Sequence, residues 1–261
     1  MGEFVGRYIC LLAIAMLSLI LFFCGSKNIQ AAYEEGEVSG GGTITGTVKF
    51  AGDVPEVRML NINKDLEVCG HGPLPSEAIV VSADKAVKNA VISISGISKG
   101  KKFDRSGGNS TIDQKGCVFI PHVTIVPLGS TVDLLNSDDV MHNLHTWSIR
   151  NTAFNEGVAG GGKLAKTFKY PETIKITCDV HKWMSAWLIV QSNPYYTVTD
   201  ATGNYRLEGV PAGTYTVQAW QEALGKVSHE VTVTAGGEAR ADFVLEKRAK
   251  KRRRRKKKKD K

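Results

Sequence analysis

The most chemically suggestive spacing in the chain is that of Cys178, His181 and Met184, in the stretch CDVHKWM (178–184). A thiolate, an imidazole and a thioether at three-residue intervals form a mixed sulfur and nitrogen donor set. Soft sulfur favours Cu(I), and imidazole serves either copper oxidation state. Plain packing is the competing reading, since all three residue types occur in β cores without a metal. Two features favour ligation. TIKITC alternates, so Ile174, Ile176 and Cys178 share one face and the thiol points inward. Upstream, NSDDVMHNLH (136–145) follows STVDLL and sets His142 beyond a loop headed by Asn136. Two histidines, one cysteine and a weak axial methionine are the ligands of a mononuclear blue-copper centre.

The elements that must position these residues are strands. No long segment repeats with a period of 3.6. Short β-branched and apolar runs recur instead: TITGTVKF (43–50), AVISIS (90–95), VTIVPLGSTVDLLN (123–136), TIKIT (173–177) and WLIV (187–190). Clusters such as SGG, PLG, NSDD and GGG separate them, which reads as an all-β antiparallel sandwich. A composition break at Ser192-Asn193-Pro194 opens a second β piece, residues 193–246. There Tyr205 and Leu207 alternate around Arg206, and Tyr215, Val217 and Ala219 around Thr216 and Gln218.

Residues 193–246 resemble the carboxypeptidase regulatory-like (transthyretin-like) β-sandwich, through Thr199, Asp200, Gly203, Tyr205, Leu207, Pro211, Gly213 and Tyr215. About 50 residues is small for an independent core. GTITGTVKF and AVKNAVISIS, within residues 43–102, look like the first strands of the same sandwich, with the middle of the chain inserted between the two pieces.

Residues 103–192 resemble a Greek-key cupredoxin, nearest to the amicyanin and plastocyanin group. The match lies in Asn136…His142-Asn143 and in the short loop Cys178-x-x-His181-x-x-Met184. The resemblance implies one type 1 copper held by His142, Cys178, His181 and Met184, with Asn143 bracing the two ligand loops near the sulfur. Met184 is either the axial ligand or a neighbour of another group in that position. Lys182 and Trp183 stand where that family usually has proline or a small residue, a change that bears on solvent access.

The other histidines and cysteines have plainer readings. His145 is an odd number of positions from His142, so strand alternation turns it to the opposite face. His122 reads as a structural or supporting imidazole, with an extra ligand as the alternative, and His229 needs no special role. Arg7 followed by the apolar run Ile9–Cys24 and a polar stretch has the layout of a cleaved export signal, residues 1–31, which implies a periplasmic or extracellular protein. Three cysteines are then left, and one thiol has no sulfur partner. Cys69 and Cys117 read as a disulfide; a second metal site with His71 and His122 is the alternative.

Residues 247–261 hold 13 Lys or Arg and one Asp, so the net charge of +8 belongs to a disordered basic tail. An anionic surface is its natural partner. Nucleic acid is not expected, since no aromatic platform accompanies the charges. The expected function is single-electron transfer with a redox protein such as a cytochrome or dehydrogenase, the electron leaving by whichever ligand imidazole edge is exposed. No enzyme activity is expected, because no acid and base pair stands near the loops. The alternatives are copper delivery, which usually uses richer Met and His loops, and a cell-surface β-sandwich binding module with a non-redox metal.

Overall fold

A computed structural model describes residues 32–247. The run read as an export signal and the basic tail beyond Lys247 lie outside the described residues. Among those described, no helix is long and apolar enough to cross a membrane.

The described chain is all-β, four main sheets stacked as two sandwiches. In the first sandwich, one sheet has the strand order Val118–Ile120, Ser110–Lys115, Thr131–Asn136, Lys163–Thr167. The facing sheet runs Val123–Pro127, Ser185–Gln191, Glu172–Thr177, His142–Trp147, Asn155–Val158. Ile112, Phe119, Val132 and Leu134 from one sheet meet Leu144, Ile174, Ile176 and Leu188 from the other in a single core. Alternation sets that contact. Thr131–Asn136 buries every second residue, Val132, Leu134 and finally Asn136.

The second sandwich is built from distant parts of the chain. Gly42–Phe50 pairs with Asn204–Val210, Glu238–Arg240 and Phe243–Leu245. Val91–Ser95 pairs with Tyr196–Val198 and Gly213–Gln221. Ile44, Val48, Ile92, Ile94, Leu207, Val217 and Phe243 share its core. The turn at Asp200–Gly203 needs glycine. Gly203 has φ 74, and a Cβ there would lie 2.6 Å from the Val48 carbonyl oxygen.

The sheets are mixed rather than purely antiparallel. Val123–Pro127 lies parallel to Ser185–Gln191, and Thr131–Asn136 parallel to Ser110–Lys115. Periodicity gives the face of each residue but not the direction of a neighbour. Connections that leave one sheet and return later bring strands alongside in the same sense.

A junction joins the two sandwiches. Val91, Val123 and Ile189 are buried there with Trp187, Val198 and Trp220 packed on them, and the two indoles meet edge to face at 5.1 Å. His122 Nε2 and Glu222 Oε1 pair across it at 2.5 Å.

The segment between Phe50 and Val80 has little regular structure and lies against the first sandwich as a strap. Ile62 and Cys69 enter that sandwich's core, and Cys69 is bonded to Cys117. The disulfide excludes the alternative of a metal site built on those two sulfurs.

Candidate metal centre

The register of two adjacent strands brings the sequence-predicted residues together. His145 pairs with Thr177, which places His142 at the start of one strand and Cys178 at the end of its neighbour. Both face inward by alternation: His142, Leu144 and Thr146 on one strand, Ile174, Ile176 and Cys178 on the other. The chain then turns and hydrogen bonds to itself, with the Met184 N–H donating to the His181 carbonyl at 2.9 Å. That turn carries the His181 ring back over the sulfur.

His142, Cys178 and His181 converge, their donor atoms lying within 4.8 Å of one another. His142 Nδ1 is 2.8 Å from His181 Nδ1, and His181 Nδ1 is 3.9 Å from Cys178 Sγ. Atoms bound to one ion at roughly 2.0–2.3 Å have separations of this order. Both rings are 0% exposed and the thiol is buried. Met184 is buried beside them, and its carbonyl accepts the Cys178 N–H at 3.4 Å.

The other nitrogen of each imidazole meets a carboxylate. His142 Nε2 is 2.8 Å from Asp138 Oδ2, and His181 Nε2 is 2.7 Å from Asp65 Oδ2. A carboxylate at Nε2 keeps the proton there and leaves the Nδ1 lone pair facing the cluster. Two such lone pairs 2.8 Å apart need a cation or a shared proton between them. The residues therefore fit a metal ion.

Asn143 braces the ligand loops. Its Oδ1 accepts the Cys178 thiol at 3.2 Å and the backbone N–H groups of Asp179 and Val180 at 2.7 and 3.2 Å. Asn136 holds the other loop, its Nδ2 donating to the carbonyls of Val140 and Val158, both at 2.8 Å. The electrostatics shift the thiol and the His142 ring in opposite directions. Burial pushes the Cys178 thiol up, yet the His142 ring and neighbouring backbone N–H groups hold it below the ordinary thiol value. Burial opposes charge on His142, but Cys178 and Asp138 outweigh it and raise its pKa. At His181 burial wins over Asp65 and the pKa falls.

Two residues here carry no motif. Asp138 lies four residues before His142, within the ligand loop, where an acid was visible but its aim was not. Its oxygens also accept the backbone N–H groups of Gly116 and Cys117 at 2.6 and 2.8 Å. Asp65 comes from the strap, 116 residues from its imidazole, and no local pattern marks it. Trp183 completes the closure, tilted against the His181 ring and donating its indole N–H to the Cys117 carbonyl at 3.0 Å. The expected exposed imidazole edge is thus corrected: both rings are buried, with Asp65 of the strap and Trp183 against His181 and Asp138 against His142.

The remaining histidines lie elsewhere. His145 is on the outer face, its Nδ1 3.1 Å from an Asp179 oxygen. His122 is at the junction with Glu222, and His229 lies against Phe243 in the second sandwich.

Residues 188–246 match the carboxypeptidase regulatory-like domain. Its strands are those that Gly42–Phe50 and Val91–Ser95 complete. None of the curated proteins matches the chain. Among solved structures, a copper-containing nitrite reductase from Thermus scotoductus SA-01 is similar at 22% identity and a TM-score of 0.30, over 32% of this chain and 22% of that one. A purple cupredoxin from Nitrosopumilus maritimus is 21% identical with a TM-score of 0.29, over 32% of this chain and 100% of that one. An oxidised amicyanin variant is 18% identical with a TM-score of 0.30, over 45% of this chain and 96% of that one.

Proposed function

We propose that the chain is an exported blue-copper protein that carries single electrons between redox partners. The observation that carries this reading is the convergence of two Nδ1 atoms and one thiol, all buried, with each ring's second nitrogen on a carboxylate. His142, Cys178 and His181 would hold one copper ion, and Met184, buried beside them, would offer a weak thioether donor. When bound, copper supplies a one-electron couple.

The protein's own part is to limit rearrangement. Asp138 and Asp65 fix the two rings, Asn143 fixes the thiol loop, and Asn136 fixes the loop before His142. Donors held this way do not move when the charge at the site changes by one. The buried site also excludes water, which suits transfer of an electron better than handover of the ion to an acceptor. On this reading the role is transfer of an electron and not conversion of a substrate.

Copper loading followed by visible and paramagnetic resonance spectra tests this. The expected result is intense thiolate-to-copper absorption with narrow hyperfine splitting, both lost in Cys178→Ser. A colourless protein whose Cys178 titrates as a free thiol overturns it.

A further inference from the structure

With both ligand imidazoles 0% exposed, an electron needs another way out, and the outer face of the same sheet offers one. Thr177 immediately precedes Cys178, and its Oγ1 accepts the indole N–H of Trp147 at 2.9 Å. Trp147 is 57% exposed. A single hydrogen bond and a few covalent bonds therefore connect the buried sulfur to a surface indole. The His145 ring stacks on that indole at 4.4 Å between centroids, held by Asp179, the residue that follows Cys178. Both chain neighbours of the ligand cysteine thus end on one exposed aromatic pair.

The surroundings of Trp147 are shaped for a partner. Ile149 is 93% exposed and Tyr170 is also exposed. The two turns that carry them are clamped together: Glu172 accepts the backbone N–H groups of Ile149 and Arg150, and Asn151 accepts those of Lys169 and Tyr170. Three cations flank the patch. Lys175 sits directly across from Trp147 in register, and Arg150 and Lys169 lie on the clamped turns. Among the described residues none of the three has a carboxylate within ion-pair distance, and they outnumber the two nearby carboxylates, Glu172 and Asp179, which accept hydrogen bonds within the fold. This local excess of positive charge runs against the rest of the chain, which is net acidic once the basic tail is set aside.

We propose that Trp147 is the electron port of this protein and that its basic collar docks a one-electron redox protein with an acidic rim. This rests on the copper reading above. In the transfer one electron leaves the site through Cys178, Thr177 and Trp147 and reduces the partner's oxidised centre by one. No bond is made or broken and no proton moves. The apolar centre with a charged rim is the usual anatomy of a transient contact, and complementary charge mainly accelerates encounter.

The test follows oxidation of the copper-loaded, reduced protein by stopped flow, read as growth of the thiolate band. The oxidants are ferricyanide, a small anion that mimics an acidic partner, and the cationic tris(phenanthroline)cobalt(III). Ferricyanide should react faster at low salt and slow as salt rises, with the opposite trend for the cobalt complex. Lys175→Glu with Arg150→Glu should slow ferricyanide about tenfold at low salt and reverse its salt dependence, on the scale of electrostatic steering. Trp147→Leu should slow both oxidants severalfold while leaving the band and midpoint potential unchanged, and Trp147→Phe should fall between. Normal spectra with wild-type rates in every variant overturn the port. A wild-type protein with no thiolate band overturns the copper reading, and the port with it.

Discussion

Replacing Cys69 and Cys117 together by alanine removes the disulfide that ties the strap to the metal-bearing sandwich. The two cysteines are 48 residues apart, and in the chain-entropy view closing a loop of that size contributes about 4 kcal/mol at 25 °C. Both sulfurs are buried, so their loss removes packing as well. For a chain of this size about 1 kcal/mol corresponds to roughly 2–4 °C, so we expect the melting temperature to fall by about 8–16 °C. The same change frees Asp65 from His181, since α-helical residues Leu66–Cys69 hold Asp65 within four positions of the disulfide. The assay is paired: thermal unfolding by circular dichroism, and the rate at which a Cu(I) chelator strips the copper-loaded protein. Stripping should accelerate by at least about tenfold, the equivalent of 1.4 kcal/mol less hindrance. A drop of under about 3 °C with unchanged stripping would refute the reasoning, because the strap would then be held by its other contacts alone.

Three further outcomes follow from the geometry. Asn143→Ala leaves two backbone N–H groups and the thiol without an acceptor and should cost about 2–4 kcal/mol in denaturant unfolding, far more than Asn155→Ala at the exposed end of the same network. Burial raises the Glu172 carboxyl, but Ser148, Ile149 and Asn151 outweigh it and lower its pKa from 4.5 to about 2. Because the folded value is the lower one, its stabilisation is complete above about pH 4.5 and is lost as pH falls towards 2. After discounting for solvent screening this is about 1–2 kcal/mol, and Glu172→Gln should flatten stability against pH in that window. At the junction, Glu222→Leu alone should cost about 3 kcal/mol by leaving His122 without its partner. With His122→Leu added, a double-mutant cycle should return a coupling of roughly 2 kcal/mol.

Much of the site was legible from local pattern. TIKITC and HNLH each place a donor inward because side chains alternate along a strand, and the turn CDVHKWM is short enough that His181 and Met184 must return near Cys178. Asn136 and Asn143 follow the same logic, as inward or loop-end amides beside those strands. The turn residues Asp200 and Gly203, and the alternation through Tyr205 and Tyr215, likewise mark the second sandwich, which the family match at 188–246 supports. These are short-range properties, fixed by backbone geometry within about ten residues.

Tertiary packing decided the rest. The carboxylates on the two rings arrive separately, Asp138 from within the ligand loop and Asp65 from a strap without any period, anchored by a sulfur 48 residues from its partner. Whether an imidazole edge is open to solvent depends on what another segment lays over it, and alternation says nothing about that. Strand direction, the junction pair of His122 and Glu222, and the exposure of Trp147 have the same origin. Each is a contact between residues far apart in the chain, where burial and charge pairing select the neighbour and sequence spacing carries no record of the choice.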